Sequence, residues 1–134
     1  MNSRSRARNV HRRLGYAFSV AALLAGCSGG SSCDLAGRWT GFVQLGAWSG
    51  TVIRQHFEPR SVYSLDVSSV SFNGTWSVDS DVVTITDDGC TTSGPGKFQL
   101  KWVDCTQFIY HTVDDACPSR GDSLNGVTMT YSHE

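Results

Sequence analysis

The chain has no acidic side chain before residue 27, no Cys-x-x-Cys pair and no His-x-x-x-His pair. From Leu35 onward it has no stretch with a convincing 3.6-residue period. Each absence excludes something. Paired cysteines or histidines at ligand spacing are what the common zinc sites are built from. A helical bilayer span needs about 20 consecutive apolar residues, and no run here reaches that length. Without helical periodicity the folded part belongs to the all-β class. The 134 residues carry a net charge of -1, but that figure averages two unlike pieces. Eleven basic side chains, less the five at Arg4, Arg6, Arg8, Arg12 and Arg13, leave six against all twelve acids. Residues 27–134 therefore carry a net charge of -6 and lack the basic stripe that phosphate binding needs, so no nucleic-acid partner is expected. The length suits one domain, with a thin core that buries somewhat less than ~70% of the extended surface.

The acid-free N-terminus reads as a targeting segment. Residues 1–13 are Arg-rich, and Leu14 to Ala25 form a short apolar run. It ends in Leu24-Ala25-Gly26-Cys27, followed by Ser28-Gly29-Gly30-Ser31-Ser32. This resembles the bacterial lipoprotein signal and its lipobox. The resemblance implies that residues 1–26 are a signal peptide and that Cys27 is acylated and becomes the mature N-terminus. An ordinary secretory signal with an unrelated cysteine is the alternative. Arg12-Arg13 raises twin-arginine export, but Leu14-Gly15-Tyr16 lacks the hydrophobic pattern after the pair, so the general secretory route is expected. Ser28 after the cysteine implies outer-membrane sorting in a diderm bacterium. The expected location is thus the bacterial cell envelope, with the membrane as partner through lipidated Cys27. Residues 27–32 form a Ser/Gly tether of roughly 12 Å root-mean-square reach, so residues 33–134 sit close to the membrane.

That domain reads as eight strands: 37–45, 49–58, 62–67, 70–78, 82–86, 97–103, 106–112 and 127–132. Phe98, Leu100 and Trp102 alternate with Lys97, Gln99 and Lys101, and Val127, Met129 and Tyr131 with Thr128, Thr130 and Ser132. Tyr63, Leu65 and Val67, and Phe72, Trp76 and Val78, alternate with polar neighbours in the same way. Such patterns mean antiparallel strands with one buried and one wet face. Eight in sequence suit a single up-and-down barrel, which removes exposed edges by closing on itself. A two-sheet β-sandwich remains the alternative. No helix longer than a turn or two is expected, with 112–126 the one interval left open.

Gly37-Arg38-Trp39, Gly74-Thr75-Trp76-Ser77-Val78-Asp79 with Val82-Val83-Thr84-Ile85-Thr86, and Asp114-Asp115-Ala116-Cys117-Pro118-Ser119-Arg120 resemble segments of lipocalins and lipocalin-like bacterial domains. The resemblance implies an antiparallel barrel holding a small apolar ligand. One feature departs from it. Lipocalins stack an arginine from near the end of the last strand over the first-strand tryptophan, and here that end is Tyr131-Ser132-His133.

With Cys27 acylated, Cys33, Cys90, Cys105 and Cys117 remain, an even number in an exported domain. Connections of an up-and-down barrel alternate between its ends. Cys33 and Cys105 then share one end, and Cys90 and Cys117 the other, which predicts disulfides Cys33–Cys105 and Cys90–Cys117.

No catalytic constellation emerges, and the chain is read as a non-enzyme without metal or cofactor. Gly121-Asp122-Ser123-Leu124 matches an esterase string, but that serine belongs early in a larger α/β domain. Arg120-Gly121-Asp122 reads as a turn before the last strand rather than an adhesion tripeptide. Asn73-Gly74-Thr75 reads as strand surface, and His56, His111 and His133 as surface histidines. Asp87-Asp88 and Asp114-Asp115 share one barrel end, as solvated acids or a weak cation site. The aromatics are the best lead. Trp39, Tyr63, Phe72, Trp76, Phe98, Trp102 and Tyr131 lie on presumed inward faces. An eight-stranded barrel is just wide enough to be filled by such rings or to hold one small ligand. The lipocalin resemblance favours the ligand-binding reading, in which Trp76, Trp102, Tyr63 and Phe98 line the cavity and Trp48, on an exposed Gly-rich loop, marks a contact. The filled core is the alternative, with the domain a structural or protein-binding envelope module whose protein partner is unknown.

Overall fold

The computed structural model describes residues 33–90 and 94–133. The signal segment, Cys27 and the tether lie outside the described residues. Eight strands run β1 (Gly37–Phe42), β2 (Val52–Phe57), β3 (Val62–Val67), β4 (Val70–Asp79), β5 (Val82–Asp87), β6 (Gly96–Asp104), β7 (Gln107–Asp115) and β8 (Thr128–Ser132). Each pairs antiparallel with the next, and β8 pairs with β1, closing the barrel. The two-sheet sandwich is excluded. A short α-helix, α1 (Pro118–Leu124), lies within the 112–126 interval, with Pro118 in the first turn, where its missing N–H costs nothing.

The period-two pattern sets which residues face inward. Trp39, Gln55, Leu65 and Phe72 form one cross-strand row over β1 to β4, and Arg38, His56, Ser64 and Asn73 form the adjacent outward row. Strand ends differ from the sequence reading where local chemistry intervenes. β1 stops at Phe42 rather than at residue 45, because Gly46 and Gly50, both at positive φ, turn the chain into a loop. β7 runs on to Asp115 because Lys97 and Gly96 of β6 offer partners to Asp114 and Asp115. Gly74, between Tyr63 and Asp87 in register, has no room for a side chain: a Cβ there would overlap the Thr86 carbonyl.

Trp39, Ile53, Phe57, Tyr63, Leu65, Ile85, Phe98 and Phe108 expose no surface at all, either outward or into the barrel. The space between them therefore admits no water molecule, and the interior is packed like a core. One polar cluster is built into it. Tyr110 Oη donates to Gln55 Oε1 at 2.7 Å, and Gln55 Nε2 donates to Tyr63 Oη at 2.7 Å, so the buried amide is partnered at both of its atoms. Burial raises both phenols above their ordinary range, so they stay neutral donors and acceptors.

Candidate functional site

The two ends of the barrel are built from different chemistry. At the end where Cys33 enters, aromatics close the barrel. Trp39 Nε1 donates to the Leu35 carbonyl at 2.8 Å, and its ring meets Trp102, Phe108 and Tyr131 edge to face. Trp76 packs edge-on against Phe57 and donates Nε1 to the Glu58 carbonyl at 2.9 Å. The Cys33–Cys105 disulfide ties the entering chain to the β6–β7 turn at this end.

The opposite end is closed by α1. Cys117, just before the helix, is bonded to Cys90 after β5. Three residues into the helix, Arg120 turns inward between two carboxylates. Its Nε and Nη2 donate to Asp115 Oδ2 at 2.9 Å and Oδ1 at 2.7 Å, and Nη2 also donates to the Gly94 carbonyl at 3.0 Å. Nη1 lies 3.4 Å from Asp87 Oδ2, and these two atoms have no hydrogen bond. The Arg120, Asp87 and Asp115 side chains are 0%, 2% and 2% exposed. Asp115 Oδ1 accepts the Cys117 N–H as well, so it orients the helix start. Burial raises the Asp87 carboxyl above the usual range, against the downward pull of Arg120. Burial disfavours the Arg120 charge too, but the bonds and charges of Asp115 and Asp87 outweigh it and hold the guanidinium protonated.

This arrangement corrects two expectations. Asp87 and Asp115 are neither solvated nor open to a cation, because Arg120 occupies the space between them. Arg120-Gly121-Asp122 is not a turn but part of α1, with Arg120 and Gly121 buried. The two acidic doublets share one barrel end in the sequence as in the structure, and Arg120, five residues after Asp115 in the connection that follows β7, is the cation set between Asp87 and Asp115.

Among the sequence-predicted ligand residues, Tyr63 and Phe98 are buried in the packed interior, far from solvent. Trp76 and Trp102 face inward but close the Cys33 end and are half-buried rather than lining a void. Trp48 sits on the β1–β2 loop as expected, yet it is not exposed there. It lies half-buried at the helix end, its ring stacked on Phe72, and its backbone N–H donates to Ser123 Oγ at 3.2 Å. The structure thus brings Tyr63 and Phe98 into one core and keeps Trp48 at the far end from Trp76 and Trp102. Ser123 is fully buried and spent on that bond, while His133 follows β8 at the other end against Tyr131. Both disulfides join the predicted partners. Among the described residues no group of three or more histidines, cysteines or acids is arranged to hold a metal. Against protein-family models, curated proteins and solved structures, the chain finds no match.

Proposed function

We propose that this chain is a bacterial envelope lipoprotein, anchored through acylated Cys27, whose lipocalin-like barrel serves as a solid structural or protein-binding module. The observation that carries the second half is the closed interior: eight large inward side chains expose no surface, and both ends are sealed, one by rings and one by α1. A small apolar ligand of the kind the lipocalin resemblance implies would have to displace these rings. Two disulfides placed at opposite ends support a rigid module outside the reducing cytoplasm. The Leu24-Ala25-Gly26-Cys27 sequence supports the anchor. Metabolic labelling with a fatty acid tests it: the protein takes up label, and Cys27→Ser abolishes it. Label that survives the substitution removes the anchor from the account.

A further inference from the structure

The outer wall of β1, β2 and β3 carries a shallow groove of about 80 Å³, near the end where Cys33 enters. Register places its side chains. Arg38 stands opposite His56 on β2 and Ser132 on β8, Thr40 stands opposite Arg54, and His56 stands opposite Ser64 on β3. Arg38 and Arg54 are therefore diagonal neighbours across one strand pair, with His56 and three hydroxyls around them. The groove floor is strand backbone, since the Trp39 and Gln55 side chains point into the barrel and are buried.

Two features of this grouping are not explained by folding. Residues 33–134 hold six basic side chains against twelve acids, and Arg120 is buried, so five basic side chains remain for the surface. Acids are abundant enough to pair every one of them. Yet Arg38 and Arg54 stand diagonally across adjacent strands, within reach of each other's long side chains. Among the described residues neither forms an ion pair. Asp66 stands opposite Arg54 in register and also lines the groove; its Oδ1 accepts the Ser71 hydroxyl, and it forms no ion pair with Arg54. His56 Nδ1 lies 3.1 Å from Glu58 Oε1, which fixes the ring and leaves the other nitrogen for a further partner.

We infer that this groove binds an oxyanion, a phosphate or carboxylate group carried by a ligand, between the Arg38 and Arg54 guanidiniums. The planar fork of each guanidinium matches such a group with two parallel donors. Thr40, Ser64 and Ser132 add neutral donors at the rim, and the groove is sized for a headgroup of a few atoms rather than a large organic molecule. Two sources share this chemistry. A soluble anion reaches the groove from solution, and a phospholipid headgroup reaches it from the membrane surface. Only the lipid source rests on the anchored reading, because the groove lies near the end where Cys33 enters.

The test uses the full chain carrying Cys27→Ser, so that no acyl chain contributes to binding. Inorganic phosphate is titrated while the Arg side-chain Nε–Hε resonances are followed by NMR. In parallel, the protein is co-sedimented with vesicles of phosphatidylethanolamine and phosphatidylglycerol. The expected result is saturable shifts of the Arg38 and Arg54 signals, weakened about tenfold in Arg54→Gln and further in Arg38→Gln/Arg54→Gln. Both residues are exposed, so an unchanged melting temperature confirms that the variants fold. Phosphate binding without vesicle binding supports the site and assigns it to a soluble anion. Vesicle binding lost in the double variant supports it and assigns it to lipid. Absence of both, or binding that ignores both substitutions, overturns the inference, whatever the labelling of Cys27 shows.

Discussion

Asp115→Asn should cost far more stability than Asp87→Asn, although both acids face the same guanidinium. Asp115 takes two short bonds from Arg120 and one from the Cys117 N–H. With its charge removed, Arg120 keeps its bond to the Gly94 carbonyl, but its one remaining anionic neighbour is Asp87, 3.4 Å away without a hydrogen bond, and both side chains are buried. Breaking a buried pair from one side costs about 3–5 kcal/mol, and Asp115→Asn belongs in that range. Asp87 differs. Asp115 already neutralises Arg120, so ionised Asp87 is the surplus charge of a buried group of three. Asp87→Asn removes that surplus and should fall within about 1 kcal/mol of the parent, on either side. The pH dependence follows from the raised Asp87 carboxyl. The folded state binds that proton more readily than the unfolded chain does. The stability tied to it is therefore fully present below the unfolded pKa and is lost as pH rises through the folded one. Urea unfolding followed by tryptophan fluorescence at pH 5 and pH 7 reads both effects. Asp87→Asn, an uncharged stand-in for the protonated acid, should remove the pH dependence tied to this group, matching the parent at the lower pH and standing level with it or slightly above it at pH 7. Equal losses for the two variants at pH 7 would refute the reasoning, because they would make the two carboxylates equivalent partners.

Two other expectations concern the staples and the core. The loop-closure model assigns about 4.4 kcal/mol to Cys33–Cys105, which closes a separation of 72 residues, and about 3.5 kcal/mol to Cys90–Cys117, which closes 27. Paired serine substitutions should lower the denaturation midpoint in that order. Tyr110→Phe strips the donor from Gln55 Oε1 inside the barrel and should cost about 1–3 kcal/mol, measured by the same unfolding curves. No loss there would mean that the amide finds another partner.

Much of this fold is legible because period-two alternation is a strong signal. Phe98 and Leu100 against Lys97, Gln99 and Lys101 assign β6 its faces without any tertiary knowledge, and β6 is paired as that alternation requires. Once eight such strands stand in order, the ends alternate, and the cysteine pairs follow. Burial at the barrel ends is harder to read. Trp76 and Trp102 share the inward parity of Phe98, yet parity alone does not say where along the barrel axis a residue lies, and these two are half-buried at its end. Trp48 sits outside the alternation, so nothing local indicates that it folds back on Phe72. Arg120 is the clearest case of the same limit. A charged residue in a Gly/Asp-rich connection reads as surface, and only the tertiary approach of Asp87 and Asp115 makes its burial affordable. The Arg38–Arg54 juxtaposition depends on the β1–β2 register, which the loop between Val43 and Thr51 sets.

The central claim is that the barrel is solid. It is tested most directly by titrating the full chain, carrying Cys27→Ser, with fatty acids and other apolar probes while recording tryptophan fluorescence. A packed interior predicts no saturable change with any probe, since Trp39, Phe57, Tyr63, Phe98 and Phe108 expose no surface and the half-buried Trp76 and Trp102 cap one end rather than line a void. Saturable quenching by one of them, lost in Trp76→Ala with the fold intact, would contradict the account and restore a ligand-holding barrel.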